Sequence, residues 1–99
     1  MAWLRLSAAA VADLDQIFRW AASDSVATAT SIVDEIEAAC LELSEFPERY
    51  PLRAKPRGRP LRRRPVHRYN IYYEVTPVGV TVVRIVHSAR EIRVIFPDD

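Results

Sequence analysis

The amino-acid sequence predicts an α+β domain in which a helical hairpin packs on a largely antiparallel four-stranded sheet. Apolar residues recur at spacings of three and four through the first half of the chain, which indicates two amphipathic helices. Aromatic and β-branched runs separated by turn residues fill the second half, which indicates strands linked by hairpins. The predicted order is β-α-α-β-β-β, with the helices on one face of the sheet. The other face should be partly solvated and should carry much of the arginine.

The composition describes a small globular domain and excludes several kinds of functional site. Of the 99 residues, 49% are hydrophobic and 27% charged, which is typical of a folded chain. Two glycines cannot build a glycine-rich phosphate loop, and a single cysteine excludes a disulfide framework or a cysteine-rich zinc site. His67 and His87 are too far apart in sequence for metal-ligand spacing. We therefore expect one domain over residues 1–99, with no metal and no cofactor.

Neither a membrane span nor an export signal is predicted. The longest apolar runs fall far short of the ~20 residues that cross a bilayer. The N-terminus, Met-Ala-Trp-Leu-Arg, has no basic start followed by an apolar core. We therefore expect a cytoplasmic protein without membrane contact.

The first half of the chain predicts a short strand followed by two helices. Trp3–Leu6 alternates weakly, as a strand does, and Ser7 offers an N-cap for the helix that follows. Residues 23–25 interrupt the helical spacing, so the two helices should form an antiparallel hairpin that ends at Pro47. The predicted apolar stripes are Val11, Leu14, Ile17, Phe18 and Ala21 in the first helix, and Ala29, Ile32, Val33, Ile36, Ala39, Cys40, Leu43 and Phe46 in the second.

The second half predicts a loop and three strands. Four prolines between residues 47 and 60 argue against regular structure there. Strands are expected over residues 61–64, 69–75 and 80–87, with a turn at residues 76–79. Alternation in the first of these strands sends Arg62 and Arg64 to one face and Arg63 to the other. The tail after His87 should add a short extension that ends at Pro97.

Charge is distributed unevenly along the chain. Residues 1–46 carry two arginines against eight acids, a net charge of −6, whereas residues 47–99 carry twelve basic residues against five acids, a net charge of +7. Such a directional field suits a nucleic acid or an acidic protein surface as partner. Charge alone does not choose between these two partners.

Four segments taken together resemble the ParE branch of the RelE/ParE toxin superfamily. They read LSAAAVADLDQIFRW, IVDEIEAACLELSEFP, RPLRRRPVHRYNIYYEV and VVRIVHSAREI, and their order and spacing cover nearly the whole chain. ParE-like hairpins often have glycine before the Arg-Tyr pair, and this chain departs from that pattern with His67. The resemblance implies the RelE/ParE-like fold and a type II toxin with a ParD-like antitoxin encoded beside it.

The resemblance to the ParE branch implies a toxin that inhibits DNA gyrase without a catalytic residue of its own. Gyrase as the target rests on that resemblance alone. The basic half of the chain then supplies the target-binding residues, for which we expect Arg62, Arg64, Arg68, Arg90 and Arg93. Tryptophans left at the rim of so small a domain suggest a protein interface. The antitoxin-binding candidates are Trp3, Leu14, Phe18 and Trp20.

Two alternatives remain open at the level of sequence. The RelE branch cleaves mRNA on the ribosome, and a ribonuclease of that kind would use His87, Arg90, Arg62 and Arg64 here. Asn70 stands where RelE carries a third-strand arginine, and no tyrosine follows Tyr73, so the resemblance to that branch is weaker. The other alternative is a degenerate toxin that is retained for antitoxin binding and operon regulation.

Overall fold

The computed structural model, which describes residues 3–97, confirms the α+β class and shows five strands rather than four. The strands lie in the order β1-β5-β4-β3-β2. All neighbours are antiparallel except β1 and β5, which run parallel. The elements are β1 (Trp3–Leu6), α1 (Ala8–Ala22), α2 (Val26–Glu42), β2 (Leu52–Ala54), β3 (Leu61–Val66), β4 (Tyr69–Thr76), β5 (Gly79–His87) and α3 (Ile92–Ile95).

Strand β1 lies where the sequence predicts it and forms one edge of the sheet. Trp3 pairs with Gly79 at the start of the parallel ladder with β5. A side chain at Gly79 would collide with the backbone of Trp3, so glycine permits the close approach of the two strands. The chain then leaves β1 through Ser7, whose hydroxyl accepts the Ala10 N–H at 3.0 Å and caps α1 as predicted.

The helical hairpin covers one face of the sheet and encloses the main core. Ile36 of α2 and Ile71, Val82 and Ile85 of the central strands are almost fully buried there. The buried face of α1 differs slightly from the predicted apolar stripe. Val11 is 55% exposed, and the carboxylate of Asp13 lies among the buried residues instead. The buried residues of α1 are Ala10, Asp13, Ile17 and Ala21.

Helix α2 ends earlier than the sequence predicts. It begins after the Ser25 N-cap and stops at Glu42, five residues before Pro47. Phe46 was expected in the core and is 66% exposed, because the chain has already left the helix when it reaches this residue. The segment that follows crosses towards the sheet, where the Tyr73 hydroxyl donates to the Pro47 carbonyl at 2.8 Å.

The proline-rich segment is not devoid of regular structure, which corrects the sequence prediction. Strand β2 pairs with β3 between Pro51 and Pro56, and a single 3₁₀ turn follows at Pro56–Gly58. The prolines flank this three-residue edge strand rather than interrupt it, so no ladder hydrogen bond is lost.

The face opposite the hairpin is partly covered rather than open. The chain after β5 forms the short helix α3, which corrects the expectation of a simple extension. Ile95 and Phe96 pack on the buried ring of Tyr72, whose centroid lies 5.2 Å from that of Phe96. The expectation that much of the arginine lies on this face is also wrong, because Arg62 and Arg64 lie on the hairpin side of the sheet and Arg84 binds Asp13 of α1.

Candidate functional site

Strand register separates the three consecutive arginines of β3. Arg62 pairs with Tyr73 and Arg64 with Ile71, both of which belong to the hairpin-facing core. Arg63 pairs with Tyr72, which faces α3. The predicted alternation is therefore confirmed.

Arg62 and Arg64 hold the end of the helical hairpin on the sheet. Arg64 donates from Nη1 to the Ala39 carbonyl at 2.7 Å, and its side chain is only 15% exposed. Arg62 donates from Nη1 to the Tyr50 carbonyl at 2.7 Å and to the Glu48 carbonyl at 3.2 Å. The last carbonyls of a helix have no partner within it, and Arg64 satisfies one of them at Ala39. Arg62 instead holds the segment that follows the helix.

A third arginine fixes α1 to β5 through the buried carboxylate of Asp13. Arg84 donates from Nε and Nη2 to Asp13 at 2.8 and 3.0 Å, and the Ile85 N–H donates to the same carboxylate at 2.8 Å. This hydrogen bond raises the pKa of Arg84 above its usual value. The sequence analysis overlooked Asp13, although its place between Ala10 and Ile17 at spacings of three and four was a usable signal.

Arg68 and Arg90 lie at the opposite end of the sheet from Trp3, close to the turn between β3 and β4. His67 and Arg68 form a two-residue turn between the paired residues Val66 and Tyr69. His67 has a φ of 53°, in the left-handed region that glycine adopts most easily. A glycine at position 67 would adopt this φ without steric cost.

We call this region the hairpin-end surface and define it by Trp20, His67, Arg68, His87 and Arg90. β5 ends at His87 beside the turn, and the Ser88 N–H donates to the Arg68 carbonyl at 2.8 Å. Trp20, near the end of α1, is 72% exposed and lines two cavities here together with His87. Sequence analysis had assigned Trp20 to the antitoxin and the two arginines to the target.

The two cavities share Trp20, Tyr69 and His87 as common walls. The first has a volume of about 320 Å³, and its lining is completed by Asp13, Gln16, Ile17, Ile85, Val86 and Arg90. The second has a volume of about 270 Å³ and is completed by Thr28, Ile32, His67 and Arg68. Each cavity therefore combines an apolar wall with its own arginine.

The charges of the hairpin-end surface are only partly compensated. His67 contacts Glu35, whereas no carboxylate of residues 3–97 lies within ion-pair distance of Arg68 or Arg90. Arg93 differs from these two, because its Nε contacts Glu91 at 2.6 Å. The surface can therefore attract an anionic partner without first breaking an internal ion pair at either arginine.

His87 could take part in proton transfer only from one ring nitrogen. Its Nδ1 accepts the Ala89 N–H at 3.1 Å, so Nε2 is the nitrogen left for a substrate. His87 and Arg90 line the same cavity, but Arg62 and Arg64 donate to backbone carbonyls elsewhere. The structure thus brings together two of the four residues that the ribonuclease alternative requires.

The four antitoxin-binding candidates do not form one patch. Trp3 is 40% exposed and pairs at the start of β5, whereas Trp20 lies near its end. Leu14 packs against the hairpin-facing core, and Phe18 is half-buried.

Within residues 3–97 no helix is long and apolar enough to cross a bilayer. In the same residues no cluster of histidine, cysteine and carboxylate side chains could hold a metal ion.

The fold and the hairpin-end surface place the chain among small α+β domains with an exposed surface of arginine and aromatic side chains. Residues 4–92 match the family model described as the ParE toxin of the type II toxin–antitoxin system parDE, so the chain belongs to the ParE toxin family. A solved chain from the chromosomal ParDE system of P. aeruginosa is 20% identical with a TM-score of 0.73, and the match covers 88% of this chain and 96% of that one. A comparison with curated protein sequences finds no match.

Proposed function

We propose that this protein is the toxin of a type II toxin–antitoxin pair that inhibits DNA gyrase in the cytoplasm and is neutralised by a ParD-like antitoxin. Family membership supports the class of system, and gyrase as the target follows from the resemblance to ParE toxins. The observation that carries the target-binding role is the hairpin-end surface, where Arg68 and Arg90 flank the exposed Trp20. Exposed tryptophan and arginine are the residues that contribute most to binding at protein interfaces.

Target binding is proposed for Arg68 and Arg90 in the first place. Arg62 and Arg64 already bind backbone carbonyls, so their contribution to target binding is through the fold. Arg93 is paired with a carboxylate but remains exposed, and it lies close in sequence to Arg90, which suits a supporting role. In this proposal the protein acts stoichiometrically, and no residue transfers a proton.

A second candidate function, cleavage of mRNA on the ribosome, is favoured by one observation. The exposed Nε2 side of His87 lies at a cavity that Arg90 also lines, so a base and a cation are close together. This pair alone does not supply the several cations that a developing phosphorane needs, so we place this function second.

Two assays on the purified chain separate these functions. One measures gyrase supercoiling and trapped DNA cleavage, and the other measures mRNA cleavage on translating ribosomes. We expect inhibition of gyrase and no mRNA cleavage. The double variant Arg68→Glu/Arg90→Glu should lose at least about tenfold in gyrase inhibition, since charge reversal opposes both steering and contact.

The matched control is Arg53→Glu/Arg63→Glu, which makes the same change of charge elsewhere on the sheet. Arg53 is exposed on the edge strand β2, and Arg63 faces α3. We expect the control to inhibit gyrase like the unaltered protein. Equal losses in both double variants would mean that net charge, rather than the hairpin-end surface, binds the target. Cleavage of mRNA that disappears in His87→Gln would replace gyrase inhibition with the ribonuclease function.

A further inference from the structure

A second group of cations lies at the β2 edge of the sheet, outside the hairpin-end surface. Residues 49–73 contain nine arginines and lysines and no aspartate or glutamate. Arg62 and Arg64 in this stretch donate to backbone carbonyls, but most of the cations around β2 and the 3₁₀ turn are exposed. We call this group the basic edge and define it by Arg53, Lys55, Arg57, Arg59 and Arg63.

The pairing of β2 with β3 brings the basic edge together. Arg53 lies on β2, and Arg63 lies on the neighbouring strand, where its N–H donates to the Pro51 carbonyl at 3.1 Å. Lys55 and Arg59 flank the 3₁₀ turn that connects the two strands. A cavity of about 410 Å³ opens at this edge, and it is lined by Leu52, Arg53, Ala54, Lys55 and Pro60. The five cations are therefore neighbours in space as well as in sequence.

The 3₁₀ turn holds one of these cations in a strained backbone conformation. Arg57 has a φ of 52° and a ψ of 34°, in the left-handed region that costs free energy for any residue with a Cβ. Strain of this kind is concentrated at functional sites, where the surrounding structure maintains it. Arg57 is exposed, so packing in the core does not account for an arginine at this position.

Internal ion pairs neutralise the basic edge only in part. Arg59 donates from Nε and Nη2 to the carboxylate of Glu74 at 3.0 and 2.8 Å, yet its side chain remains 57% exposed. Arg53 and Arg63 have no carboxylate of residues 3–97 within ion-pair distance. A polyanion can therefore reach several cations here without first breaking an internal ion pair at either of these two arginines.

We propose that the basic edge binds double-stranded DNA through its phosphate groups, without regard to base sequence. Guanidinium groups form strong hydrogen bonds with phosphate oxygens, and each neutralised phosphate releases counterions from the duplex. The proposal goes beyond the proposed function and does not rest on it, because the basic edge lies outside the surface assigned to the target.

The side chains around the basic edge favour a duplex over a single strand or an acidic protein. A single strand needs exposed aromatic rings on which its bases stack. Tyr50 is the aromatic residue of residues 49–63, and its ring already lies against the guanidinium groups of Arg49 and Arg64, at 5.6 and 5.3 Å. A protein interface needs a centre of large apolar side chains, and the basic edge has Leu52 beside it. Charge with so little apolar surface suits the phosphates of a duplex.

Salt-dependent binding of DNA tests the proposal directly. Fluorescence anisotropy of two labelled duplexes of about 25 base pairs, with unrelated sequences, is measured with the purified protein between roughly 50 and 200 mM salt. We expect the two affinities to agree within about threefold. The logarithm of the affinity should fall linearly with the logarithm of the salt concentration, with a slope of about −4 for four to five phosphate contacts.

Variants that remove two charges locate the contacts. Arg53→Gln/Arg63→Gln should make the slope shallower by about 2, because each lost phosphate contact removes about 1. The matched control Arg68→Gln/Arg90→Gln removes the same charge at the hairpin-end surface and should leave the slope unchanged. Circular dichroism checks the fold of each variant. Arg53→Gln/Arg57→Gln, in which both altered side chains are exposed, should change the slope like the first variant and replaces it if that protein does not fold.

Four results would overturn the proposal. Neither duplex binds at the lowest salt concentration, or both Gln pairs change the slope equally, which would mean that net charge alone binds DNA. Oligothymidylate that binds more tightly than the duplexes would assign the edge to single strands. Poly-L-glutamate that displaces a duplex at equal concentration of charge would assign it to acidic proteins. Gyrase is absent from this assay, so either proposal can fail while the other holds.

Discussion

The arginines of β3 and the arginines beside the turn that follows it differ in their contacts. Arg62 and Arg64 are drawn under the helical hairpin and donate to backbone carbonyls. Arg68 and Arg90 lie at the turn end, exposed and without a carboxylate partner among residues 3–97. The residue type is the same, and the register of the strand and the position of the turn decide its role. The first pair, together with Arg84, holds the fold, and the second pair is the one that we propose to bind a partner.

Arg64 owes its position to the end of α2. That helix stops at Glu42, so several of its carbonyls lack partners, and β3 passes where a long cationic side chain can reach them. The surface pair has no comparable acceptor, because α1 and α2 meet the turn through their side chains. Much of the basic excess of the second half is therefore used internally. The part left for the target is small and localised.

The largest effect is expected for Asp13→Ala, which removes the acceptor of the anchoring Arg84. The substitution leaves that guanidinium and the Ile85 N–H without their partner in a site where Asp13 is 7% exposed. Urea unfolding should show a loss of about 3–5 kcal/mol. The control Asp15→Ala breaks an exposed pair with Arg19 and should cost less than about 1 kcal/mol. Equal costs would mean that Asp13 is not an anchor.

A smaller effect is expected at His67, where the turn places the surface arginine Arg68. Both His67→Gly and His67→Ala remove the contact with Glu35, so the difference between them isolates the backbone. Glycine should be more stable than alanine by about 1 kcal/mol, because its left-handed φ carries no steric cost. Thermal unfolding compares the two variants directly. An alanine variant as stable as the glycine variant would show that the turn is not strained.

The thiol of Cys40 is sensitive to Arg64 through its pKa. Burial raises the pKa of its thiol from 9.0 to about 11, and the nearby Arg64 partly offsets this rise. The unfolded chain thus releases this proton first, so stability should fall as the pH rises from 9 towards 11. The slope should become shallower in Cys40→Ala, and the Tyr73 hydroxyl, whose pKa is also raised by burial, should keep the remainder. At pH 8 iodoacetamide should modify the folded protein far more slowly than the urea-unfolded protein. Equal rates in folded and unfolded protein would contradict the burial of the thiol.

Periodicity predicted the elements whose residues determine their own conformation. Trp3–Leu6, the Ser7 cap and the alternation of Arg62, Arg63 and Arg64 follow from local spacing, and the structure confirms them. Strand β2 was missed because its pairing with β3 is a long-range contact within a proline-rich segment. The extent of α2 was overestimated because Phe46 continues the apolar spacing beyond the point where the helix ends.

The candidate site was predicted in its parts but not in its arrangement. The sequence pointed to these residues separately. Trp20 was expected at the rim of the domain as a large ring, and Arg68 and Arg90 were expected in the basic second half. Their meeting at one surface depends on where α1 ends relative to the turn after β3, which is a matter of tertiary packing. The same packing places Arg62 and Arg64 on the hairpin side of the sheet. The alternation of residues along β3 predicts that they share a face but not which face it is.

The most direct test compares two double variants that each remove two arginines. In Arg62→Ala/Arg64→Ala the carbonyls of Ala39 and Tyr50 lose their donors, and urea unfolding should show a loss of roughly 3 kcal/mol. In Arg68→Ala/Arg90→Ala the loss should stay within about 0.5 kcal/mol, since neither side chain forms an ion pair with a carboxylate of residues 3–97. Equal losses in the two double variants, or a larger loss in the second, would contradict the division of the arginines into anchors and binding residues.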